Sequence, residues 1–290
     1  MLGDAAGIAA RLLDPRVCLE CFYSSRTRLG APRPVLDRLL SRASGRTGLF
    51  VESYRILGDP LKARRLEANR GALNLLEGIW EATRDLEGAL KLAALANSVD
   101  VATPWTSGGL SLSGSVADRG LGRAVGLLRG AAEAAYLLDN AGEAVVDIAV
   151  ALRLAGMGVR VHLIARSEPY EVDVTEAEAR SLLDAVAEAL GVDASGVEVA
   201  GTGTAYPAPA RGRVSAGVER ILEEADAVVL KGIANLEAAM EYCSIDPERA
   251  IVLVRAKCPP IARLYGVDLG TAVVAAGYEC LLAGGGGRGS

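Results

Sequence analysis

The sequence contains no glutamine, and its 290 residues include only one histidine, three methionines, two phenylalanines and two tryptophans. Because His162 is the single histidine, a Ser-His-Asp or Cys-His mechanism is disfavoured, and we expect His162 to pack within a predicted strand. The scarcity of thermolabile Gln, Asn and Met, beside abundant Arg, Glu and Ala, is typical of a thermophile. Asparagine is rare, so Asn140 and Asn235, both at predicted strand-to-helix corners, each indicate a helix cap or a ligand contact.

The five cysteines are too few and too scattered for a disulfide framework. Cys18 and Cys21 form a CxxC motif, but no second CxxC or paired histidine completes a zinc site. We therefore expect a structural role for the cysteines.

The formal net charge of −5 argues against general nucleic-acid binding, which requires a basic face, and favours a small-molecule substrate. No membrane span is predicted, because the longest apolar helix carries Asp147 and Arg153. Asp4 interrupts the start, where a signal peptide would have a basic region before a long apolar run. These patterns predict a cytoplasmic protein, and they leave its oligomeric state open.

Residues 1–120 are predicted to form a helical N-terminal lobe. Apolar residues recur at helical spacing over Pro34 to Ala43 and Lys62 to Ala96. The segment from Thr103 to Gly122 is rich in serine and glycine and is predicted to be a flexible loop, serving as a linker or as a lid. The glycine-rich tail, 284–290, is predicted to be disordered.

Residues 121–283 alternate regularly between short apolar runs and amphipathic helices. The first clear unit, Ala135 to Arg166, has the pattern of strand, polar corner, helix and strand. Six such strands separated by helices predict an α/β fold with a doubly wound, mostly parallel sheet. The predicted strands are 135–138, 159–165, 197–200, 227–230, 251–255 and 271–275.

Polar residues follow the predicted strands, and the carboxyl ends of parallel strands meet at one edge of a sheet. Neither the GxGxxG fingerprint nor the Walker A pattern is present. Carboxylates, an amide and lysines at one edge favour a divalent metal beside a phosphate over a dinucleotide. The residues in question are Asp139, Asn140, Arg166, Asp173, Thr202, Thr204, Lys231 and Lys257.

Asp139, Asn140 and Asp173 supply hard oxygen ligands of the kind that Mg²⁺ or Mn²⁺ binds while retaining water. The segment KGIAN, Lys231 to Asn235, places a cation and free backbone N–H groups at a helix start, which favours anion binding. Lys257, after the next strand, is close enough in this topology to reach the same anion. Each feature also has a simpler explanation, since carboxylates cap helices and a lysine can be a solvated strand end.

Four ordered motifs resemble those of the metal-dependent damage-control phosphatase family, formerly called domain of unknown function 89. They are LLDNAGE, PYEVDVT, KGIANLEA and RAKCPPIA. The segments CLEC and ALANSVD also resemble its archaeal and prokaryote-like branch.

The resemblance implies a helical lobe on a Rossmann-like sheet, and hydrolysis of phosphate monoesters of sugar phosphates or damaged phosphometabolites. It implies one divalent metal, Mg, Mn, Co or Ni. The ligands would be Asp139, Asn140 and Asp173, and these residues with Lys231 would form the catalytic set. The substrate and its phosphate would contact Glu143, Lys231, Gly232, Asn235 and Lys257.

One position departs from the family pattern, because Val172 stands where the family usually has an asparagine before the second metal-binding aspartate. A hydrogen bond around the metal is then missing, and the metal preference can differ. Two alternatives stay open. One is a carboxyl methyltransferase acting on protein acidic residues, as described for members of this family. The other is a non-catalytic phosphometabolite-binding protein.

Overall fold

A computed structural model describes residues 14–99 and 108–281 of the chain. The predicted tail and part of the Ser/Gly-rich segment lie outside these described residues.

Residues 14–99 fold into six helices. The predicted helical segment from Lys62 to Ala96 is divided into three, with Asp85 starting the third helix by accepting a hydrogen bond from the Gly88 N–H. The helices are α1 (Pro15–Arg28), α2 (Arg33–Leu40), α3 (Arg46–Arg55), α4 (Lys62–Leu73), α5 (Leu76–Ala82) and α6 (Leu86–Ala96).

Within the residues that the structure describes, seven strands form a single sheet, which confirms the predicted mostly parallel α/β fold. Strands β2 to β6 are parallel to one another, whereas β7 is antiparallel to β6 and parallel to β1. Their order across the sheet is β1-β7-β6-β5-β2-β3-β4. The strands are β1 (Val116–Arg119), β2 (Glu133–Leu137), β3 (Arg160–Ala165), β4 (Val197–Gly201), β5 (Ala227–Lys231), β6 (Ala250–Arg255) and β7 (Ala272–Ala276).

Strand β1 was not predicted. The prediction of a flexible loop over 103–122 is wrong from Val116 onward, where the chain forms β1 and then begins a helix. Val116 to Arg119 pair with β7, and the Asp118 carboxylate accepts hydrogen bonds from the N–H groups of Gly120 and Leu121, where the next helix begins. The four residues VADR are half-exposed and contain two charges, so they lack the apolar run that identified the other strands. The division into lobes at residue 120 stays a prediction.

The sheet is buried on both faces because its strand residues alternate between two apolar layers. Helices α5 to α9 pack against one face, and α10 to α12 pack against the other. These helices are α7 (Leu121–Gly130), α8 (Glu143–Gly156), α9 (Glu176–Leu190), α10 (Ala216–Glu224), α11 (Gly232–Tyr242) and α12 (Pro259–Tyr265).

Helices α1 to α3 form a third apolar cluster with the loops that follow β3 and β4. Tyr54 of α3 packs on Tyr170 of the first loop, with ring centroids 5.4 Å apart. The N-terminal helices therefore cover the carboxyl edge of the sheet, where the candidate site lies. Within the described ranges, no helix is long and apolar enough to cross a membrane.

Candidate active site

The site begins where β2 and β5 lie side by side, at the point where the chain connections diverge to opposite sides of the sheet. Asp139 follows β2, and Gly232 follows Lys231 at the end of β5. Gly232 has φ +78°, and a Cβ there would lie 1.9 Å from Asp139 Oδ2. Glycine at position 232 therefore makes room for the Asp139 carboxylate, as expected at a switch point of an α/β sheet.

A short antiparallel bridge brings Asp173 to the same place. Asn140 pairs with Asp173, and the Val174 N–H donates to the Asp139 carbonyl oxygen at 2.8 Å. Asp139, Asn140 and Asp173 line one cavity, as the prediction of a shared site requires. Val172 also lines this cavity, and its carbonyl oxygen accepts a hydrogen bond from the Ala141 N–H.

Hydrogen bonds fix the orientation of Asn140. Its amide nitrogen donates to Asp139 Oδ2 at 2.9 Å and to Glu143 Oε1 at 2.8 Å. The amide oxygen of Asn140 therefore points away from these two carboxylates. In this orientation it is available as a metal ligand.

The two aspartates of the cavity differ in their charged partners. Asp173 Oδ2 accepts a hydrogen bond from Arg166 Nε at 2.5 Å. Burial raises the pKa of Asp173 above its ordinary value, although Arg166 opposes the shift. The pKa of Asp139 is raised strongly, first by burial and then by the nearby charges of Asp173 and Glu143. Two buried carboxylates whose pKa values are raised by burial and by neighbouring carboxylates form an environment that a bound cation would stabilise.

Asn97, at the end of α6, is a site residue that the sequence did not identify. Its amide nitrogen donates to Asp139 Oδ2 at 2.9 Å and to Glu143 Oε1 at 3.0 Å, and its oxygen accepts from the Arg255 N–H. The side chain is fully buried. The only signal was its position in the ALANSVD segment and the rarity of asparagine in this chain.

Lys231 lies beneath the cavity rather than in its wall. Its ammonium lies 2.9 Å from Asp147 Oδ2 and 3.2 Å from Glu143 Oε2, and Tyr136 donates to the other oxygen of Asp147. Burial alone would lower the pKa of Lys231, but the two carboxylates outweigh it and the pKa is raised. Burial raises the pKa of Asp147 to about 6. We call Tyr136, Glu143, Asp147 and Lys231 the buried network, and a direct contact of Lys231 with phosphate stays a prediction.

The other residues expected to bind phosphate have different positions. Lys257 lines the cavity and donates to the Val99 carbonyl oxygen at 2.9 Å. Asn235 is buried, and its amide donates to the carbonyl oxygens of Leu138 and Lys231, joining α11 to the end of β2. Helix α11 presents its first turn to the cavity through Ile233 and Ala234, and the Lys231 side chain provides no cap for that turn.

Another wall of the cavity could not be predicted from the sequence. It contains an ion pair between Arg46 of α3 and Glu237 of α11, together with Cys18, Cys21 and Cys258. The CLEC motif therefore lies at the cavity, although no group of three or more His, Cys, Asp or Glu side chains in residues 14–99 and 108–281 has metal-binding geometry. The structural role expected for the cysteines stays a prediction.

Residues 58–273 match the sequence model of the damage-control phosphatase ARMT1-like domain. The chain belongs to this family. The predicted resemblance is thereby confirmed, and the match includes Asp139, Asp173 and Lys257 within its bounds.

Archaeal relatives of the family agree with this assignment. A damage-control phosphatase of Pyrococcus horikoshii is 26% identical over 235 residues, which are 78% of each chain. A damage-control phosphatase of Archaeoglobus fulgidus is 32% identical over 142 residues, and the match spans 48% of this chain and 44% of that relative. The crystal structure of a DUF89 family protein from P. horikoshii superposes with a TM-score of 0.73 at 21% identity, covering 91% of this chain and 98% of the other. This structural likeness shows a shared fold.

Proposed function

We propose that this chain is a metal-dependent phosphatase that hydrolyses phosphate monoesters of sugar phosphates or damaged phosphometabolites. The names of the P. horikoshii and A. fulgidus relatives support phosphatase activity. The observation that carries the proposal is the convergence of Asp139, Asn140 and Asp173 in one cavity that Lys257 and the start of α11 also line.

The residues present fit one divalent metal. Asp139, Asn140 and Asp173 offer two carboxylates and an amide, the hard oxygen donors that Mg²⁺ and Mn²⁺ prefer, and Co²⁺ or Ni²⁺ can also use them. When bound, the metal would supply Lewis-acid stabilisation of phosphoryl oxygens and a more acidic bound water.

The protein groups have separate tasks in this proposal. Lys257 neutralises charge on the phosphoryl group, and the unpaired N–H groups of the first turn of α11 donate to its oxygens. Asn97 and Asn140 hold Asp139 through hydrogen bonds of 2.9 Å each, so the carboxylate is oriented before substrate arrives. The buried network supports the same carboxylate from below through Glu143, which shares the Asn97 amide with Asp139.

The test is phosphate release from a panel of phosphorylated sugars and cofactor fragments, after removal of metal and after addition of Mg²⁺, Mn²⁺, Co²⁺ or Ni²⁺. We expect activity only with metal, and we expect Asp139→Ala to lose both bound metal and turnover while it keeps its thermal unfolding transition. Asp184→Ala, at an exposed position of α9, is the matched control. Normal turnover in Asp139→Ala would contradict the site, whereas substrate binding without turnover in the unaltered enzyme would indicate a binding protein.

A further inference from the structure

One wall of the cavity contains a buried ion pair. Arg46, the first residue of α3, places Nη2 2.6 Å from Glu237 Oε2, and its guanidinium carbon lies 4.3 Å from the ring centre of Phe50. Both charged side chains line the cavity that contains Asp139. A substrate bound at the aspartates can therefore contact the pair within the same cavity.

This pair has unused hydrogen-bonding capacity. Glu237 is only 5% exposed. Within the described part of the chain, neither Glu237 Oε2 nor Arg46 Nε has a hydrogen-bond partner. The 2.6 Å contact between Arg46 Nη2 and Glu237 Oε2 is an ion pair without hydrogen-bond alignment. Buried polar atoms in proteins nearly always have a partner. A hydroxyl group can donate to the carboxylate and accept from the guanidinium at the same time, so adjacent hydroxyls of a polyol match both atoms.

The charges on this wall are already balanced. Glu237 is paired with Arg46, and Glu171, which also lines the cavity, is paired with Arg26 at 2.5 Å. The remaining lysine of the described lining, Lys257, acts electrostatically on Asp139 and is not among the charges that act on Glu237. A neutral wall suits a neutral group and offers no cation to a second phosphate or carboxylate.

The neighbouring thiols do not change this balance. Burial raises the pKa of Cys258 to about 12, and burial likewise raises the pKa of Cys18 and of Cys21. Neutral thiols are weak hydrogen-bond partners, so polar recognition on this wall depends on the ion pair.

We propose that Arg46 and Glu237 form a specificity subsite that binds the hydroxyl groups of a polyhydroxylated phosphate monoester and disfavours esters with a second anionic group. This inference rests on the proposed phosphatase function. It adds the residues that select the substrate and the chemical class that they select.

The experiment is carried out at a pH well above 7, where Glu237 is ionised. It compares kcat/KM for glucose 6-phosphate, glucose 1,6-bisphosphate and p-nitrophenyl phosphate, whose aryl group has no hydroxyl. The ratio between the sugar monophosphate and the aryl phosphate cancels any general loss of metal or of folded protein. We expect Glu237→Gln to lower this ratio about tenfold, chiefly through a higher KM for the sugar, because a charge-assisted hydrogen bond becomes a neutral one. The unaltered enzyme should prefer the monophosphate to the bisphosphate.

Two further variants keep the test independent of folding. Replacing both partners, Arg46→Met with Glu237→Leu, avoids an unpaired buried charge and should lower the ratio at least as much as Glu237→Gln. Glu241→Gln is the matched control, since Glu241 is one turn further along α11 and contacts Thr47 at the start of α3, but does not line this cavity. An unchanged ratio in the double variant, or an equal fall in Glu241→Gln, would overturn the subsite.

A failure of the phosphatase proposal would be visible separately. If the unaltered protein releases no phosphate from any of the three esters with any metal, calorimetry of glucose 6-phosphate binding replaces the kinetic ratio. Weaker binding by Glu237→Gln than by Glu241→Gln would then support the subsite, and equal binding would overturn it.

Discussion

The close approach of Gly232 to Asp139 predicts that alanine at position 232 has two effects, backbone strain and displacement of the Asp139 carboxylate. A control substitution can separate these two effects. Alanine at position 232 would have to adopt φ +78°, which costs a residue with a Cβ about 1–2 kcal/mol. Its Cβ would also lie 1.9 Å from Asp139 Oδ2, so the carboxylate must retreat by about 1.5 Å to reach the 3.4 Å of an ordinary contact. A displacement of about 1 Å at a reacting group can cost about 100-fold in rate.

Gly212 provides the control for strain alone. It has φ +77°, and a Cβ there meets no atom within 4 Å. In urea denaturation of the metal-free protein, we expect Gly212→Ala to lose about 1–2 kcal/mol and Gly232→Ala to lose at least that much. Only Gly232→Ala should also lose about 100-fold in kcat/KM and weaken metal binding, measured by calorimetry. Equal effects of the two substitutions on stability, turnover and metal affinity would refute the argument.

Four further variants test the charged groups and the thiols. Lys231→Met should destabilise the protein by about 3–5 kcal/mol in denaturant, because two buried carboxylates lose their cation, whereas Lys257→Met should mainly raise KM for phosphate esters. Burial raises the pKa of Glu237 to about 7, so its ionisation opposes folding. The unaltered protein should therefore lose stability relative to Glu237→Gln as the pH rises from about 4.5 through 7, and urea denaturation at several pH values measures this difference. The double variant Cys18→Ser, Cys21→Ser should keep kcat, and stoichiometric zinc that disappears in this variant would contradict that expectation.

The parts of the fold that could be predicted are those with a strong local signal. Strands β2 to β7 are apolar runs because helices cover both faces of the sheet, and their bounds agree with the sequence pattern to within about two residues. Strand β1 lies at the edge of the sheet, and its residues Asp118 and Arg119 are exposed, so no local pattern distinguishes it from a loop.

The site could be predicted only where it is built from residues that directly follow strands. Asp139, Asn140 and Lys257 follow strand ends, and the topology alone brings them to one edge. Asn97, Arg46 and Glu237 belong to helices that reach the cavity through tertiary packing, and no spacing in the sequence relates a helix of the N-terminal layer to a particular strand end.

The burial of Lys231 follows from the alternation of side chains along β5. Val229 packs in the apolar layer that includes α8, and Leu230 packs in the layer on the other face. Lys231 must then point to the same side as Val229, towards α8. On that helix Glu143 and Asp147 are four residues apart and lie on one face, so both carboxylates meet the lysine. Whether the side chain of a strand-end lysine lies in the cavity or beneath it therefore depends on which face of the sheet its position in the strand faces.

This placement also bears on why a metal would be needed. The cavity and the buried network together contain more carboxylates than cations, so with all of them ionised the metal-free site has a net negative charge. A phosphate monoester is itself an anion, and in a buried, poorly screened site like charges repel. A divalent cation would reverse the sign of the site, so we expect metal binding to be a precondition for phosphate binding and not only an aid to its hydrolysis. The groups counted are Asp139, Glu143, Asp147 and Asp173 against Arg166, Lys231 and Lys257, since the Glu237–Arg46 and Glu171–Arg26 pairs each cancel.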